Sequence, residues 1–465
     1  MSERSVTFDI AEARRGLRAS ACPGLFRMVP ARDGGICRVK IPLGELSAAK
    51  ARAIAAAAVR FGNGIIEATN RANLQLRGIR PADETALIAS LLDADFGPTR
   101  PDAEDIRNVM INPTAGIDPG QDMDARPLAQ ALLAHLEASP VCRTVSAKFS
   151  ILVDGGEDVA VVDHPHDIWL SSLADRSRLA LGLAGAPLIR AEDSTPFVAV
   201  RAEHAVEAVA ALVALFVDEA AGDTTITRFR HVLARLSRDA IFERLSRRFG
   251  AAMERGATVE TWRRRSPVRL GHVGIRSQLQ AGVSFVGAVP LLGRLTPDGL
   301  ARVAALAEEQ GDGTLRLTPW QSLIVPSVAT KNAPAVMRTL EGLGWACRAS
   351  QPLASMVACS GSPGCASGHA DTKADAATLA QALGDVSDSA PRLHVSGCTK
   401  SCASIRVADI TLVAVAPGLY DLFAKDDAAA DKFGRVIARR ISVDDAGARI
   451  RAVLATQSPV PKGSA

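Results

Sequence analysis

The sequence predicts a pseudo-twofold α/β (α+β) fold, built from two β-α-β-β half-modules and two larger α/β domains. The first observation is an internal repeat, since residues 43–76 align without gaps to residues 292–325 with ten identities in 34 positions. The second is that both copies show the same order of predicted elements. The third is a weaker match of residues 109–116 to residues 357–364. A repeat at a fixed offset indicates a duplicated structural unit.

Each copy of the repeat reads as a strand, a helix and two further strands. Ser47 and Thr296 are the predicted N-cap residues, and Pro297 stands at the first helical position, where its missing N–H costs nothing. Gly62 and Gly311 stand where a residue just beyond the helix C-terminus is expected. The predicted strands cover residues 36–41 and 65–69 in the first copy, and 284–289 and 314–318 in the second.

The segments between and after the copies complete the predicted domain organisation. Strand-like runs at 148–153 and 197–201 precede helical stretches at 205–221 and 228–248. In the weaker repeat Ile111 stands where Cys359 stands. The predicted units are half-module 1 at 14–85, an α/β domain at 86–265, half-module 2 at 266–335, a second α/β domain at 336–445 and a tail at 446–465.

Composition excludes several classes of protein. The net charge of +4 over 465 residues gives no reason to expect a nucleic-acid partner. The longest apolar run, residues 208–217, is too short to span a membrane. The N-terminal residues show no apolar core of a signal peptide, so we expect a cytoplasmic protein.

Four cysteines near the C-terminus form two close pairs, Cys359-x5-Cys365 and Cys398-x3-Cys402. Four thiolates in two pairs are the ligand set of a [4Fe–4S] cluster. The first pair lies in a Gly/Ser/Pro-rich loop, and the second is expected on a helical turn after a strand at 392–395. Structural zinc usually has closer pairs, and disulfides need an oxidising compartment, so both alternatives are weaker. The other cysteines are expected to be free: Cys22, Cys37, Cys142 and Cys347.

The spacing of these cysteines resembles that of the siroheme-dependent sulfite and nitrite reductases. Four flanking segments, CPGLF, TNRANLQLRG, GHADT and SGCTKSCA, resemble the motifs of the precorrin-3B synthases within that family. The resemblance covers roughly residues 14–445. It implies that two ferredoxin-like half-modules pair into one domain between two α/β domains, with a tetrapyrrole at the junction.

Four cations stand at positions that match the family's anion-binding motifs, namely Arg38, Arg71, Arg107 and Lys148. The resemblance implies that all four bind the tetrapyrrole and that Arg107 and Lys148 also take part in catalysis. Burying a ring with many carboxylates needs charge-assisted hydrogen bonds, for which arginine is well suited. The reductases' Lys-x-Lys pair becomes Lys148-Phe149-Ser150, so one cation for oxyanion reduction is missing.

The resemblance therefore implies a monooxygenase that converts precorrin-3A to precorrin-3B by meso-carbon hydroxylation with γ-lactone formation. Dioxygen and precorrin-3A are the expected substrates, NADH the overall electron donor and a separate reductase the expected partner. A mononuclear non-haem iron is a further expected cofactor, although no motif identifies its ligands; His164 and His166 lie in a predicted loop. Two alternatives stay open: a siroheme-containing sulfite or nitrite reductase, and a non-catalytic cluster protein.

Overall fold

The structure is a computed structural model that describes residues 9–15, 20, 22–162, 164–189, 195–386, 391–404, 406–426, 429 and 431–457. None of its described helices is both long enough and apolar enough to cross a bilayer. The half-modules contain the following elements: α1 (Ile10–Arg15), β1 (Val29–Ala31), β2 (Gly34–Val39), β3 (Glu45–Ser47), α2 (Ala48–Phe61), β4 (Ile66–Ala68), β5 (Leu74–Ile79) and α3 (Glu84–Asp93) in the first, and β12 (Gly274–Ser277), β13 (Val283–Ala288), β14 (Arg294–Leu295), α9 (Pro297–Gln310), β15 (Thr314–Leu317), β16 (Leu323–Ala329) and α10 (Ala333–Gly342) in the second.

The two half-modules exchange one strand with each other. The first sheet has the order β1-β2-β5-β4-β14, and the second has the order β12-β13-β16-β15-β3. Strand β3 of the first copy pairs antiparallel with β15, and β14 of the second copy pairs antiparallel with β4. Helices α2 and α9 pack together, and one apolar core contains residues from both copies. The predicted pairing of half-modules into a single domain is confirmed.

The two α/β domains share a strand pattern, in which three parallel strands are followed by antiparallel ones. The first domain has the sheet order β11-β10-β9-β8-β7-β6 and the second β17-β18-β19-β20-β21. The first contains β6 (Val109–Ile111), α4 (Arg126–Ala138), β7 (Ile151–Asp154), β8 (His166–Ser172), β9 (Arg178–Gly185), β10 (Val198–Arg201), α5 (Ala205–Ala220), α6 (Phe229–Leu233), α7 (Arg238–Phe249), β11 (Met253–Glu254) and α8 (Ala257–Glu260). The second contains β17 (Met356–Ala358), α11 (Gly361–Gly364), α12 (Thr372–Leu383), β18 (Leu393–Ser396), β19 (Ile410–Ala416), β20 (Leu419–Ala424), β21 (Arg435–Ile441) and α13 (Val443–Gln457).

The capping residues behave largely as the sequence predicts. Ser47 accepts a hydrogen bond from the Lys50 N–H, and Thr296 accepts one from the Gly299 N–H. Gly62 and Gly311 do follow the helices, but their backbones are not left-handed. Glycine is needed there for space, because a Cβ would come within 2.6 Å of a carbonyl oxygen on the neighbouring strand at either position.

Two predicted boundaries are wrong. The single helix expected at 228–248 is divided into α6 and α7, because Ser237 caps a new helix by accepting from the Ala240 N–H. The tail expected from residue 446 begins inside α13. Ala446 and Ile450 are buried in the core of the second α/β domain, so this helix belongs to the domain.

Candidate cluster and anion-binding site

The first cysteine pair lies in a loop that glycine makes compact. Cys359 follows β17, and Cys365 follows the short helix α11. Gly361 has a φ of +63°, and a Cβ there would come within 2.7 Å of the Ala370 oxygen. A Cβ on Gly368 would come within 2.6 Å of the Gly361 backbone. Only glycines therefore allow these two backbone segments to meet beside the cysteines.

The second pair follows β18 and contacts the first pair through the backbone. The Gly397 N–H donates to Cys359 Sγ at 3.1 Å, and Thr372 Oγ1 lies 3.6 Å from the same sulfur. The helical turn expected for Cys398 and Cys402 is wrong, because these residues form turns and Ser401 has a φ of +59°. That left-handed residue ends any helical path between the two cysteines.

All four cysteines line one cavity of about 260 Å³, together with Arg38, Lys373 and Lys400 among others. Burial raises the pKa of the Cys402 thiol, and the charges of Cys398, Cys359 and Cys365 raise it further. Four thiols that repel each other when ionised need a positively charged partner to become thiolates together.

The cysteines surround a space and do not meet at one point. Among the described residues, no three His, Cys, Asp or Glu side chains converge closely enough to hold a single metal ion. A zinc ion needs ligands that converge on one atom, whereas a cubane of four irons separates its four ligands. The donor set therefore fits a [4Fe–4S] cluster, and no preformed site for a mononuclear iron is present in the described part of the chain. His164 lines a different cavity, and His166 is buried at the start of β8.

The other four cysteines do not line this cavity. Cys37, Cys142 and Cys347 are buried, and Cys22 is partly buried. Burial raises the pKa of Cys347 to about 12 and also raises the pKa values of Cys37 and Cys142. These three side chains are neutral thiols in apolar surroundings and are poor metal ligands.

Arg38 and Arg71 are close enough to interact electrostatically. Arg38 lies on β2 opposite Gln75 on β5. In the amide orientation that satisfies both groups, Gln75 Oε1 accepts hydrogen bonds from Arg38 Nε at 3.1 Å and from Arg38 Nη2 at 2.8 Å. Arg71 Nη1 is buried and has no hydrogen-bond partner among the described residues. Burial, and after it the guanidiniums of Arg228 and Arg38, lowers the pKa of Arg71 to about 10. A half-buried guanidinium that has an unpartnered buried nitrogen and lies near two others is suited to bind a carboxylate.

Arg228 was not singled out from the sequence. Its Nε donates to Asp167 Oδ1 at 3.0 Å, and the same carboxylate accepts from the Ser150 N–H at 2.9 Å. Asp167 is almost fully buried, at the beginning of β8. An arginine in the short segment before α6 gives no sequence signal by itself, because only the fold brings it next to Arg71.

The remaining two predicted cations lie apart from the cysteines. Arg107 is buried between Glu104 at 3.3 Å and Glu137 at 3.2 Å, and it lines a narrow cavity together with Arg71. Lys148 is exposed and lines a separate cavity of about 630 Å³. The structure thus brings Arg38 to the cysteines and Arg71 to Arg107, while Lys148 stands elsewhere. The predicted roles of these four residues stay predictions.

The equivalent place in the first α/β domain contains a polar network. Strands β6 and β17 are the edge strands from which the parallel part of each sheet begins, and they end at Ile111 and Ala358. In the structure Asn112, and not Ile111, therefore occupies the position of Cys359. The Asn112 amide donates to Asp154 Oδ1 at 2.7 Å and to Glu157 Oε2 at 2.6 Å. Burial, reinforced by Asp154, raises the pKa of Glu157. Carboxyl and amide groups fill the space that cysteines line in the other copy.

Comparison with known families gives two matches. Residues 29–94 and 276–343 match the nitrite/sulfite reductase ferredoxin-like half domain, and residues 102–253 match the nitrite and sulphite reductase 4Fe-4S domain. The half-domain matches coincide with the two copies of the internal repeat. The second match covers the domain that lacks the four cysteines and shares its strand pattern with the domain that contains them.

Individual relatives point to two activities. A precorrin-3B synthase of a Sinorhizobium species is 30% identical over 89% of this chain and 83% of its own length. The chloroplastic ferredoxin–nitrite reductase of Arabidopsis thaliana is 29% identical over 80% of this chain, which spans about two thirds (66%) of that enzyme. The solved structure of the NirA protein of Mycobacterium tuberculosis superimposes with a TM-score of 0.74 at 21% identity and covers 92% of this chain and 82% of its own.

Proposed function

Because the chain belongs to the nitrite and sulfite reductase family, whose members here are oxidoreductases with an iron–sulfur cluster, we propose that it converts precorrin-3A to precorrin-3B. In this reaction one atom of dioxygen enters the macrocycle and the other leaves as water. NADH supplies the two electrons overall, through a separate reductase.

The observation that carries this proposal is the environment of Ser150. An oxyanion reductase of this family would place a second lysine there, but Ser150 is 1% exposed and its N–H is bound to Asp167. Its hydroxyl has no hydrogen-bond partner within the described residues. A site that lacks this cation is less suited to stabilise the charge of a sulfite or nitrite ion. It is compatible with a substrate that is itself the tetrapyrrole.

In the proposed site the protein contributes binding and orientation. Cys359, Cys365, Cys398 and Cys402 would hold a [4Fe–4S] cluster, which when bound supplies electrons singly. Arg38, which lines the cysteine cavity, and Arg71 would bind ring carboxylates, and Arg228, fixed by Asp167, would neutralise a further carboxylate. Arg107 and Lys148 are proposed to contact the tetrapyrrole and to take part in catalysis, for which Arg107 has to release one of its two glutamates, Glu104 or Glu137, to bind the substrate.

A siroheme-dependent nitrite or sulfite reductase is the second candidate. It is favoured by the nitrite reductases among the relatives, which include enzymes from Zea mays and Spinacia oleracea at 28% identity. Siroheme has strong visible absorption bands, whereas a cluster alone gives a broad brown shoulder, so the spectrum of the purified protein separates the two.

The test is dioxygen uptake by purified protein supplied with a chemical or enzymatic reductant, measured with and without precorrin-3A. Uptake that requires precorrin-3A, in a protein without siroheme bands, supports the proposal. A protein that carries siroheme and reduces nitrite or sulfite rapidly supports the second candidate instead. A brown protein that neither binds precorrin-3A nor reduces either anion indicates a non-catalytic cluster protein.

A further inference from the structure

A group of buried charges lies beside the cysteine cavity and connects three parts of the fold. Glu67 on β4 contacts Arg77 Nη1 at 3.2 Å, Arg294 Nε at 3.2 Å and Lys373 Nζ at 3.8 Å. We call these four residues the Glu67 network. Glu67 and Arg77 come from the first half-module, Arg294 from the second and Lys373 from the α/β domain that carries the cysteines. Glu67 and Lys373 also line the cysteine cavity itself.

Lys373 is the member nearest to the predicted ligands. It is 7% exposed and follows Thr372, whose hydroxyl donates to the Cys359 oxygen at 2.7 Å. Its ammonium donates to the Leu292 oxygen at 2.6 Å, which fixes the group on the rim of the cavity. Burial lowers the pKa of Lys373, whereas the charge of Glu67, and to a smaller extent that of an ionised Cys359, raises it, so Lys373 and Cys359 interact electrostatically.

Arg77 holds the loop between the first two cysteines. Its guanidinium donates to the Gly364 oxygen at 3.1 Å and to Ser360 Oγ at 3.3 Å, and it pairs with Asp33 at 2.8 Å. Arg77 is 2% exposed, and a Cβ on Gly364 would come within 2.5 Å of its Nη2. The first half-module thus fixes the position of the loop relative to Glu67 and Lys373.

We propose that the Glu67 network sets the reduction potential of the cluster, with Lys373 raising it and Glu67 lowering it. The inference rests on the proposed ligation of a cluster by the four cysteines. Reduction adds one negative charge to the cluster, so a nearby buried cation stabilises the reduced form and a nearby carboxylate opposes it. Burial keeps these charges from being screened by salt. Lys373 and Glu67 act on the cluster through the electric field, and Arg77 is a positioning residue for the loop.

The experiment is a potentiometric titration of the cluster, followed by visible absorption and electron paramagnetic resonance, in single variants of the whole protein. At the wild-type midpoint potential, Lys373→Met should reduce the ratio of reduced to oxidised cluster about tenfold, which corresponds to about 59 mV for one electron. Glu67→Gln should shift the ratio in the opposite direction. Lys373→Arg, which keeps the charge, should stay within about twofold of the wild type.

Lys331 provides a control, because it is exposed and does not line this cavity. Water and salt screen its charge, so Lys331→Met should change the ratio less than about twofold. If Lys373→Met and Glu67→Gln shift the reduction potential in the same direction, the inference is overturned, because disruption of the loop would shift both variants alike whereas an electrostatic effect would not. If Lys373→Met does not retain a cluster, an unchanged potential in Glu67→Gln overturns it. A wild-type protein without any cluster signal would instead refute the ligation.

Discussion

At the scale of single residues, the most informative comparison is between Arg71 and its repeat equivalent, Trp320. Thr69 and Thr318 hold the two turns in the same way, since each hydroxyl accepts two backbone N–H groups. Both turns then contain a left-handed residue, with φ of 51° at Ala72 and 59° at Gln321. The same backbone therefore presents a half-buried cation in one copy, and in the other an indole that stacks on His272 with ring centroids 4.4 Å apart. Side-chain chemistry, and not backbone shape, separates the two halves.

Replacement of Arg71 tests the anion site. Arg71→Ala removes a guanidinium with a buried, unpartnered nitrogen, so it should weaken tetrapyrrole binding about tenfold or more, because a hydrogen bond to a charged group contributes about 1.5–3 kcal/mol. Absorption titration with precorrin-3A measures the change. Arg80→Ala is the control, because Arg80 is exposed and pairs only with Asp83 in the described structure. Equal affinity in the wild type and Arg71→Ala would refute the site.

The cysteine assignment predicts a selective loss of colour. Cys398→Ser should remove the brown absorption and lower the iron and sulfide content, because an alcohol is a weak ligand for this cluster. Cys347→Ser should retain both, since Cys347 is a buried thiol with a pKa raised to about 12 by burial. Iron and sulfide analysis of the two variants gives the answer, and a full complement in Cys398→Ser would contradict the assignment.

His394 makes stability depend on pH. It lies on β18 with 1% of its surface exposed, and burial lowers its pKa to about 4. In the unfolded chain His394 binds a proton near pH 6.5, whereas in the folded protein it does so only near pH 4. The contribution of neutral His394 to the free energy of unfolding is therefore retained above pH 6.5 and is lost as the pH falls toward 4. The loss should be about 3 kcal/mol in total. Denaturant unfolding at several pH values should show a shallower pH dependence in His394→Leu. Parallel pH profiles for the two proteins would contradict this prediction.

At the scale of elements, local sequence signals predicted the helix caps correctly, whereas long-range strand pairing could not be predicted. Caps at Ser47 and Thr296 depend on neighbouring residues, so a linear sequence contains the information needed to place them. The strand exchange of β3 and β14 depends on contacts between segments about 250 residues apart and could not be read from periodicity. The helical turn expected for the second cysteine pair is wrong because Ser401 is left-handed, with a φ of 59°, and no local sequence signal indicated this conformation.

A matched pair of glycine substitutions tests the packing between helix and strand. In Gly311→Ala the new Cβ would come within 2.6 Å of the Pro326 oxygen, so the change should lower the free energy of unfolding by about 1–3 kcal/mol. In Gly342→Ala the Cβ meets nothing within 4 Å at the end of α10, so the free energy should rise by about 0.4–1 kcal/mol. Denaturant unfolding distinguishes them. Equal effects would show that space does not determine the need for glycine at 311.

At the scale of the whole molecule, the fold is symmetric and the chemistry is not. The repeat at 43–76 and 292–325 predicted the pairing of the two half-modules, whereas the strand exchange between them is seen only in the structure. The two α/β domains share a sheet pattern, as the weaker match of residues 109–116 to 357–364 indicated. The cysteines, however, occur in one domain, and the network of Asn112, Asp154 and Glu157 fills the corresponding place in the other. The sequence singled out the four cysteines of the second α/β domain, whereas the proximity of Lys373 to them and of Arg228 to Arg71 follows only from the folded chain.

The most direct test of the account is mass spectrometry of the macrocycle formed from precorrin-3A under isotopically labelled dioxygen. The protein should be supplied with reductant, and Cys398→Ser should serve as the inactive control. If the proposed function is correct, the product contains one labelled oxygen atom and is absent from the control reaction. A macrocycle without label, or turnover of nitrite or sulfite by a siroheme-loaded protein under the same conditions, would contradict it.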